Sequence, residues 1–145
     1  LWRAPASTKG LTLTYGGPPG FIATYDASLI DGALTNVIAN AIKFTVQGEV
    51  MLRVAVAQPG RLRFEVEDTG IGIPDDLRKT IFHKFSQADA STTRVFGGTG
   101  LGLSISRELA RRMGGEMLCP CSVSVSSTTV MILRIFAFIA VHPLL

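Results

Sequence analysis

A chain of 145 residues with 47% hydrophobic and 17% charged content has the size and apolar fraction of one globular domain with a two-layer core, and is not an intrinsically disordered protein. A net charge of +3, with basic residues spread along the chain, argues against a nucleic-acid or anionic-membrane partner. The two cysteines, Cys119 and Cys121, are one residue apart, without a further cysteine or nearby histidine. Neither a disulfide framework nor a metal set is expected, and a reducing, cytosolic setting is. The opening Leu1-Trp2-Arg3-Ala4-Pro5 has no secretory pattern, and the missing initiator Met points to a fragment of something longer.

Residues 9–15 (K-G-L-T-L-T-Y) alternate and predict a short strand, ended by the breaker G-G-P-P-G at 16–20. From Ser28 to Phe44 apolar residues fall at 29, 30, 33, 34, 37, 38, 41 and 42, the pattern of an amphipathic helix with one buried face. Asp26 or Ser28 is positioned to cap it, and T-V-Q-G at 45–48 closes it. Residues 49–56 and 61–67 flank Gln58-Pro59-Gly60 and predict a hairpin, with Leu62, Phe64 and Val66 inward and Arg61, Arg63, Glu65 and Glu67 outward. A short helix is expected around 75–85, then a polar, small-residue segment from Ser86 to Arg94. A second helix follows the glycine-rich loop, with Leu101, Ile105, Leu109 and Met113 at steps of four and Gly114-Gly115 as its stop. Two further strands are expected over 116–123 and 128–136.

Residues 129–145 form the most apolar stretch, but Arg134, His142 and Pro143 interrupt it. Its clean run is far short of the ~20 residues that a spanning helix needs, so a core strand with an apolar tail is expected. The element order predicts an α+β fold, a two-layer α/β sandwich in which helices pack on one face of a mixed sheet. Residues 1–134 are taken as one domain, and 135–145 as a tail of uncertain role.

Three constellations carry chemistry. Residues 96–104 (F-G-G-T-G-L-G-L-S) place Gly97, Gly98, Gly100 and Gly102 ahead of a helix, where bare backbone N–H groups and the helix dipole favour an anion such as a nucleotide polyphosphate. A flexible linker is the competing reading. On the first long helix Asn36, Asn40 and Lys43 share a stripe opposite the apolar face. Two carboxamides and an ammonium suit a metal-bound polyphosphate, an amide oxygen being a hard ligand for Mg²⁺. A solvated helix face is the commoner fate of such residues. Finally, E-D-T-G-I-G-I-P at 67–74 sets Asp68 where a strand stops and Gly70 and Gly72 turn the chain away. A buried carboxylate there accepts a hydrogen bond from the exocyclic amine of adenine, which guanine cannot donate at that position. An ordinary Asp-Thr-Gly turn has the same spacing.

Taken together, N-V-I-A-N-A-I-K-F-T (36–45), D-T-G-I-G-I (68–73), I-F-H-K-F-S-Q-A-D (81–89) and F-G-G-T-G-L-G-L-S-I (96–105) resemble the ATP-binding catalytic domain of sensor histidine kinases, part of the superfamily shared with gyrase, heat-shock chaperones and mismatch-repair ATPases. The resemblance covers about residues 6–118. It implies a Bergerat-type ATP-binding fold, with ATP and Mg²⁺ as ligands. By this likeness Asn40 matches the Mg²⁺-binding asparagine, Lys43 the phosphate-reaching lysine and Asp68 the adenine-reading aspartate. Gly70, Gly72 and Ile73 fall in the base pocket, and Phe82 and Phe85 match the aromatic pair at the edge of an ATP lid spanning about Ser86 to Phe96. Gly98, Thr99, Gly100, Leu101 and Gly102 fall where the lid closes and the helix N-terminus cradles phosphate.

Asn36 discriminates subclasses. The superfamily's ATPases typically carry a water-activating glutamate at this position, and an asparagine cannot act as a general base at neutral pH. The implied reaction is transfer of the γ-phosphoryl group to a histidine, with Asn36, Asn40 and Lys43 as catalytic residues. Neither His83 nor His142 has the context of a phosphoacceptor, so the dimerisation hairpin is expected before Leu1, and a receiver domain is expected as a downstream partner. The match of S-Q-A-D-A-S-T-T-R to the lids of hybrid receptors suggests that type. Two alternatives stand beside it: a degenerate ATP-binding sensor or interaction module without phosphotransfer, and a water-activating ATPase, which Asn36 opposes. The family pattern weakens after Glu116, where Cys119-Pro120-Cys121 and Ser122 to Ser126 replace a glycine-bearing turn.

Overall fold

The structure is a computed structural model that describes residues 2–18, 21–84, 99–120, 129–136 and 138–141. Its elements in chain order are α1 (Arg3–Thr8), β1 (Thr12–Gly16), β2 (Phe21–Thr24), α2 (Ala27–Phe44), β3 (Glu49–Gln58), β4 (Arg61–Asp68), α3 (Asp75–Arg78), α4 (Gly102–Arg112), β5 (Glu116–Leu118), β6 (Thr129–Phe136) and β7 (Phe138–Val141). A five-stranded mixed sheet runs in the order β1-β3-β4-β6-β5, parallel between β1 and β3 and antiparallel elsewhere.

Period-two patterning sets the inner face of this sheet. Leu62, Phe64 and Val66 of β4 are buried, with Val50 and Val54 of β3 across from them, as the alternation predicts. The outward residues pair by charge, Arg53 with Glu67 at 3.2 Å and Arg63 with Glu65. Against the inner face lies α2, whose Ile30, Ala33, Val37, Ile38, Ala41 and Ile42 are buried in the same core. Asp26 caps it, its Oδ1 accepting from the N–H groups of Ser28 and Leu29 at 3.1 and 3.2 Å. The helices and sheet thus form the two-layer α+β architecture expected from the element order.

The last turn of α2 leaves no carbonyl without a donor. Ala41 accepts from the Thr45 amide at 3.1 Å and the Thr45 hydroxyl at 2.7 Å. Ile42 and Lys43 both accept from Lys9 Nζ at 2.7 Å, and Phe44 accepts from the Ile71 amide at 3.2 Å. The four orphan acceptors of a helix end are thereby satisfied by three separate parts of the chain.

Four details differ from expectation. First, α1 was not anticipated, and the strand expected from residue 9 begins only at Thr12. Gly10, at φ 75°, closes α1 in a left-handed turn that a strand cannot include. Second, among the described residues of the helix expected around 75–85 only Asp75–Arg78 is helical, and turns continue to Lys84. Third, the strand expected over 128–136 is present as β6, but the apolar tail beyond it also forms a strand, Phe138–Val141, which pairs antiparallel with Phe21–Thr24. The described part of the apolar tail is therefore built into strands, which its β-branched and aromatic residues favour. No helix among the described residues is long and apolar enough to cross a membrane.

Fourth, of the large residues expected to face the core from α4 and its end, Leu109 and Met113 pack against it but Ile105 does not. Ile105 is 47% exposed, whereas Ser106 and Ala110 are fully buried. Small residues face α2 because the two helices cross closely. The Ser106 hydroxyl donates to the Ala33 carbonyl at 2.9 Å, and a Cβ on Gly32 would lie 3.1 Å from Leu109 Cδ1. Overpacking this crossing should therefore cost more than trimming the large residue beside it. Ala110→Leu is expected to lose about 1–3 kcal/mol in urea denaturation. Ile105→Ala should stay within about 0.5 kcal/mol of wild type in the same measurement.

Candidate functional site

The site is assembled where the end of α2 meets the end of β4. Gly70 makes that junction possible: a Cβ there would sit 2.6 Å from the Phe44 carbonyl oxygen and 2.8 Å from Asp68 Oδ1. Without a side chain the loop comes close enough for the Ile71 amide to reach the Phe44 carbonyl. A second lock holds the same corner, with Thr69 Oγ1 accepting from the Glu49 amide at 3.0 Å and the Thr69 amide donating to the Glu49 carbonyl at 3.1 Å. Gly48, at φ 121°, is required on the other side of it, because a Cβ would fall 2.1 Å from that hydroxyl oxygen.

Asp68 is only 7% exposed and is the buried carboxylate of this corner. Burial pushes its pKa up from 3.8 to about 6, against the hydrogen bond that the Gly70 amide donates and the lowering effect of the nearby Thr45 hydroxyl; Glu67 next to it adds a smaller push in the same direction as burial. The Gly70 amide donates to Oδ1 at 2.9 Å, which orients the carboxyl group. Thr45, fully buried, was read from the sequence only as part of a helix stop. Its role at the Asp68 carboxyl depends on a contact between residues far apart in the chain.

On α2, Asn36, Asn40 and Lys43 are each half-buried. Lys43 Nζ lies 4.9 Å from the centre of the Phe44 ring. Asn36 faces the first residue of α4, since a Cβ on Gly102 would lie 3.6 Å from Asn36 Cβ and Cγ and 3.7 Å from its Oδ1. The start of α4 thus runs close against the polar stripe of α2. Leu101, the N-cap, offers no side-chain cap to the first-turn N–H groups. Gly100 ahead of it has φ 69°, and Thr99 is exposed.

The remaining expected residues are divided. Gly72 turns at φ 75°, and Ile73 packs against the core while its carbonyl accepts from Arg78 Nε at 3.0 Å. Phe82 is buried, with the Arg107 guanidinium 5.4 Å from its ring centre. Phe85, Gly98 and the expected lid from Ser86 to Phe96 lie outside the described residues, as does Cys121. The fold therefore brings Asp68 and Gly70 to one end of α2, and Gly102 to its polar stripe.

Comparison with known proteins gives the family to which this fold belongs. Residues 25–136 match the family described as histidine kinase-, DNA gyrase B-, and HSP90-like ATPase, and the chain belongs to it. It is 39% identical over 121 residues to the peroxide stress-activated histidine kinase mak2 of Schizosaccharomyces pombe, covering 77% of this chain and 5% of that one. It is 46% identical over 99 residues to the sensor histidine kinase AruS of Pseudomonas aeruginosa, covering 66% and 10% respectively. The chain thus spans a small part of the length of these curated relatives. Among solved structures, full-length ShkA in complex with AMPPNP superposes with a TM-score of 0.84 at 30% identity, over 99% of this chain and 29% of that one.

The raised pKa makes stability depend on pH in a definite direction. A carboxyl group whose folded pKa lies above its unfolded value stabilises the fold in its neutral form; that contribution is complete below about pH 4 and is lost as pH rises through about 6. The unfolding free energy of wild type minus that of Asp68→Asn should therefore fall by roughly 2 kcal/mol between pH 4 and pH 7.5. Urea denaturation at several pH values measures it, and a difference that is flat or rises with pH would contradict the burial of this group.

Proposed function

We propose that this chain is the ATP-binding catalytic domain of a two-component sensor histidine kinase of hybrid type. It holds Mg-ATP between α2, the loop after β4 and the start of α4. The γ-phosphoryl group is donated to a histidine on a dimerisation helix hairpin outside this chain, and a response-regulator receiver domain takes it from there. The setting is cytosolic, with membrane attachment only through other parts of a longer receptor. The observation that carries this reading is the placement of a buried carboxylate, Asp68, at the end of the same helix that presents Asn36, Asn40 and Lys43.

Each residue then has a task that its chemistry suits. Asp68 accepts from the adenine amine, and the burial that raises its pKa makes an unmatched base costly there. Gly70 and Gly72 let the backbone approach the base. Thr99, Gly100, Leu101 and Gly102 bring uncapped N–H groups to the phosphates, with Phe82 and Phe85 at the lid edge. Lys43 offsets the charge that gathers on the γ-phosphoryl oxygens.

The donor set also fits a metal that arrives with the nucleotide. Among the described residues no group of three His, Cys, Asp or Glu could hold one. Asn40 instead contributes a single hard oxygen, which suits an ion that keeps several waters and takes phosphate oxygens. Mg²⁺, when bound there, would supply neutralisation of the phosphoryl charge. Asn36 cannot take a proton from water at neutral pH, so the γ-phosphorus is kept for the imidazole. As the N–P bond forms, the bond to the bridging oxygen breaks and its electron pair leaves with ADP.

Calorimetric titration should give Mg-ATP binding by wild type, weakened about tenfold or more by Asn40→Ala and roughly 100-fold by Asp68→Asn. In EDTA the Asn40→Ala variant should approach wild type, and an unchanged gap would remove the metal assignment. With γ-labelled ATP and a phosphoacceptor hairpin supplied in trans, label should reach the histidine, and Lys43→Met should slow its arrival. Binding without any transfer would instead favour the degenerate sensor module, and steady hydrolysis by the chain alone the water-activating ATPase.

A further inference from the structure

Lys9 lies outside every motif above, yet its ammonium donates to two consecutive carbonyls at the end of α2, Ile42 and Lys43, each at 2.7 Å. These contacts join positions 33 and 34 residues apart. They are short, charge-assisted hydrogen bonds to the negative end of a helix dipole. The neighbouring carbonyls have donors of their own, Ala41 from Thr45 and Phe44 from Ile71. The two halves of the site are therefore anchored differently. The base side hangs on Phe44, Gly70, Ile71 and Asp68, and the turn that carries Lys43 hangs on Lys9.

We infer that Lys9 is a positioning residue for the phosphate half of the site, holding the backbone of Lys43 so that its side chain meets the γ-phosphoryl group. This rests on the ATP-binding reading above. Lys9 touches no part of the nucleotide in this role and acts through Lys43. Its position after α1 supports the assignment: Gly10 at φ 75° and the amide of Leu11 bonding to the Ala6 carbonyl at 2.9 Å fix the turn from which Lys9 reaches out. An ammonium is suited to this task because three donors on one nitrogen can serve two adjacent carbonyls.

The test is a double-mutant cycle read with two ligands, Mg-ATP and adenosine. Lys9→Met should weaken Mg-ATP binding about fivefold to tenfold, the loss expected for a charge-assisted hydrogen-bond anchor. Adenosine binding should stay within about twofold, because the base side keeps its own anchors. In a Lys43→Met background the effect of Lys9→Met on Mg-ATP should largely vanish, and Lys9→Arg should restore most of the wild-type affinity. Where Lys9→Met does not fold, Lys9→Gln, which keeps donors without the charge, is read against the same outcomes.

Equal loss for ATP and adenosine, or a full effect persisting without Lys43, would overturn the inference and leave Lys9 a general brace of the fold. Wild type that binds Mg-ATP alongside a Lys9→Met variant that binds it equally well would overturn the inference alone. Wild type that binds no Mg-ATP would overturn the functional reading and this inference with it.

Discussion

The constraint on which the rest depends is the approach of the 68–71 loop to the carbonyl of Phe44. A helix end must find donors for its last carbonyls, and a strand end must find somewhere to turn. Here the two needs are met by one contact, from the Ile71 amide to the Phe44 carbonyl, and only a glycine at 70 leaves room for it. That contact sets the distance between the buried carboxylate of β4 and the polar stripe of α2. The base-reading and phosphate-reading halves of the candidate site are thus joined through backbone, which is stiffer than a side-chain bridge.

The same corner explains why a carboxyl group can remain buried. Asp68 is withdrawn from water, which works against its charged form, but the Gly70 amide and the Thr45 hydroxyl return part of what hydration would give. It is thus held in place and oriented. On the proposed reading, this buried carboxyl group would take a further donor from an adenine amine. On the same reading, the local cost in stability of burying this carboxyl group is offset by discrimination between bases.

On the other side of α2, small residues do what large ones cannot. Ser106, Ala110 and Gly32 let α4 lie close enough for a hydroxyl to bond to the Ala33 carbonyl, and Gly102 brings the first turn of α4 beside Asn36. A bulkier crossing would hold the N-terminus of α4 away from the polar stripe. Helix packing therefore bears directly on where an anion would be met, and Ile105, large but exposed, plays no part in it.

Much of this was determined by local sequence. The alternation in 61–68 specifies the inner face of β4, the 3.6-residue period specifies α2, and Asp26 specifies its start, because each depends on neighbours within a few residues. The candidate site residues Asn36, Asn40, Lys43 and Asp68 could be named from the sequence because each motif lies within a single element, although spacing alone left a solvated helix face and an ordinary turn as readings and the roles came from the family resemblance. Tertiary structure alone decided what required two distant segments to meet. The short helix α1, the pairing of β2 with β7, the exposure of Ile105 on α4, the approach of Thr45 to Asp68 and the grip of Lys9 on α2 leave no periodic trace in the chain. Each arises from a donor and an acceptor, or a small residue and a large one, that are brought together only after the layers have packed.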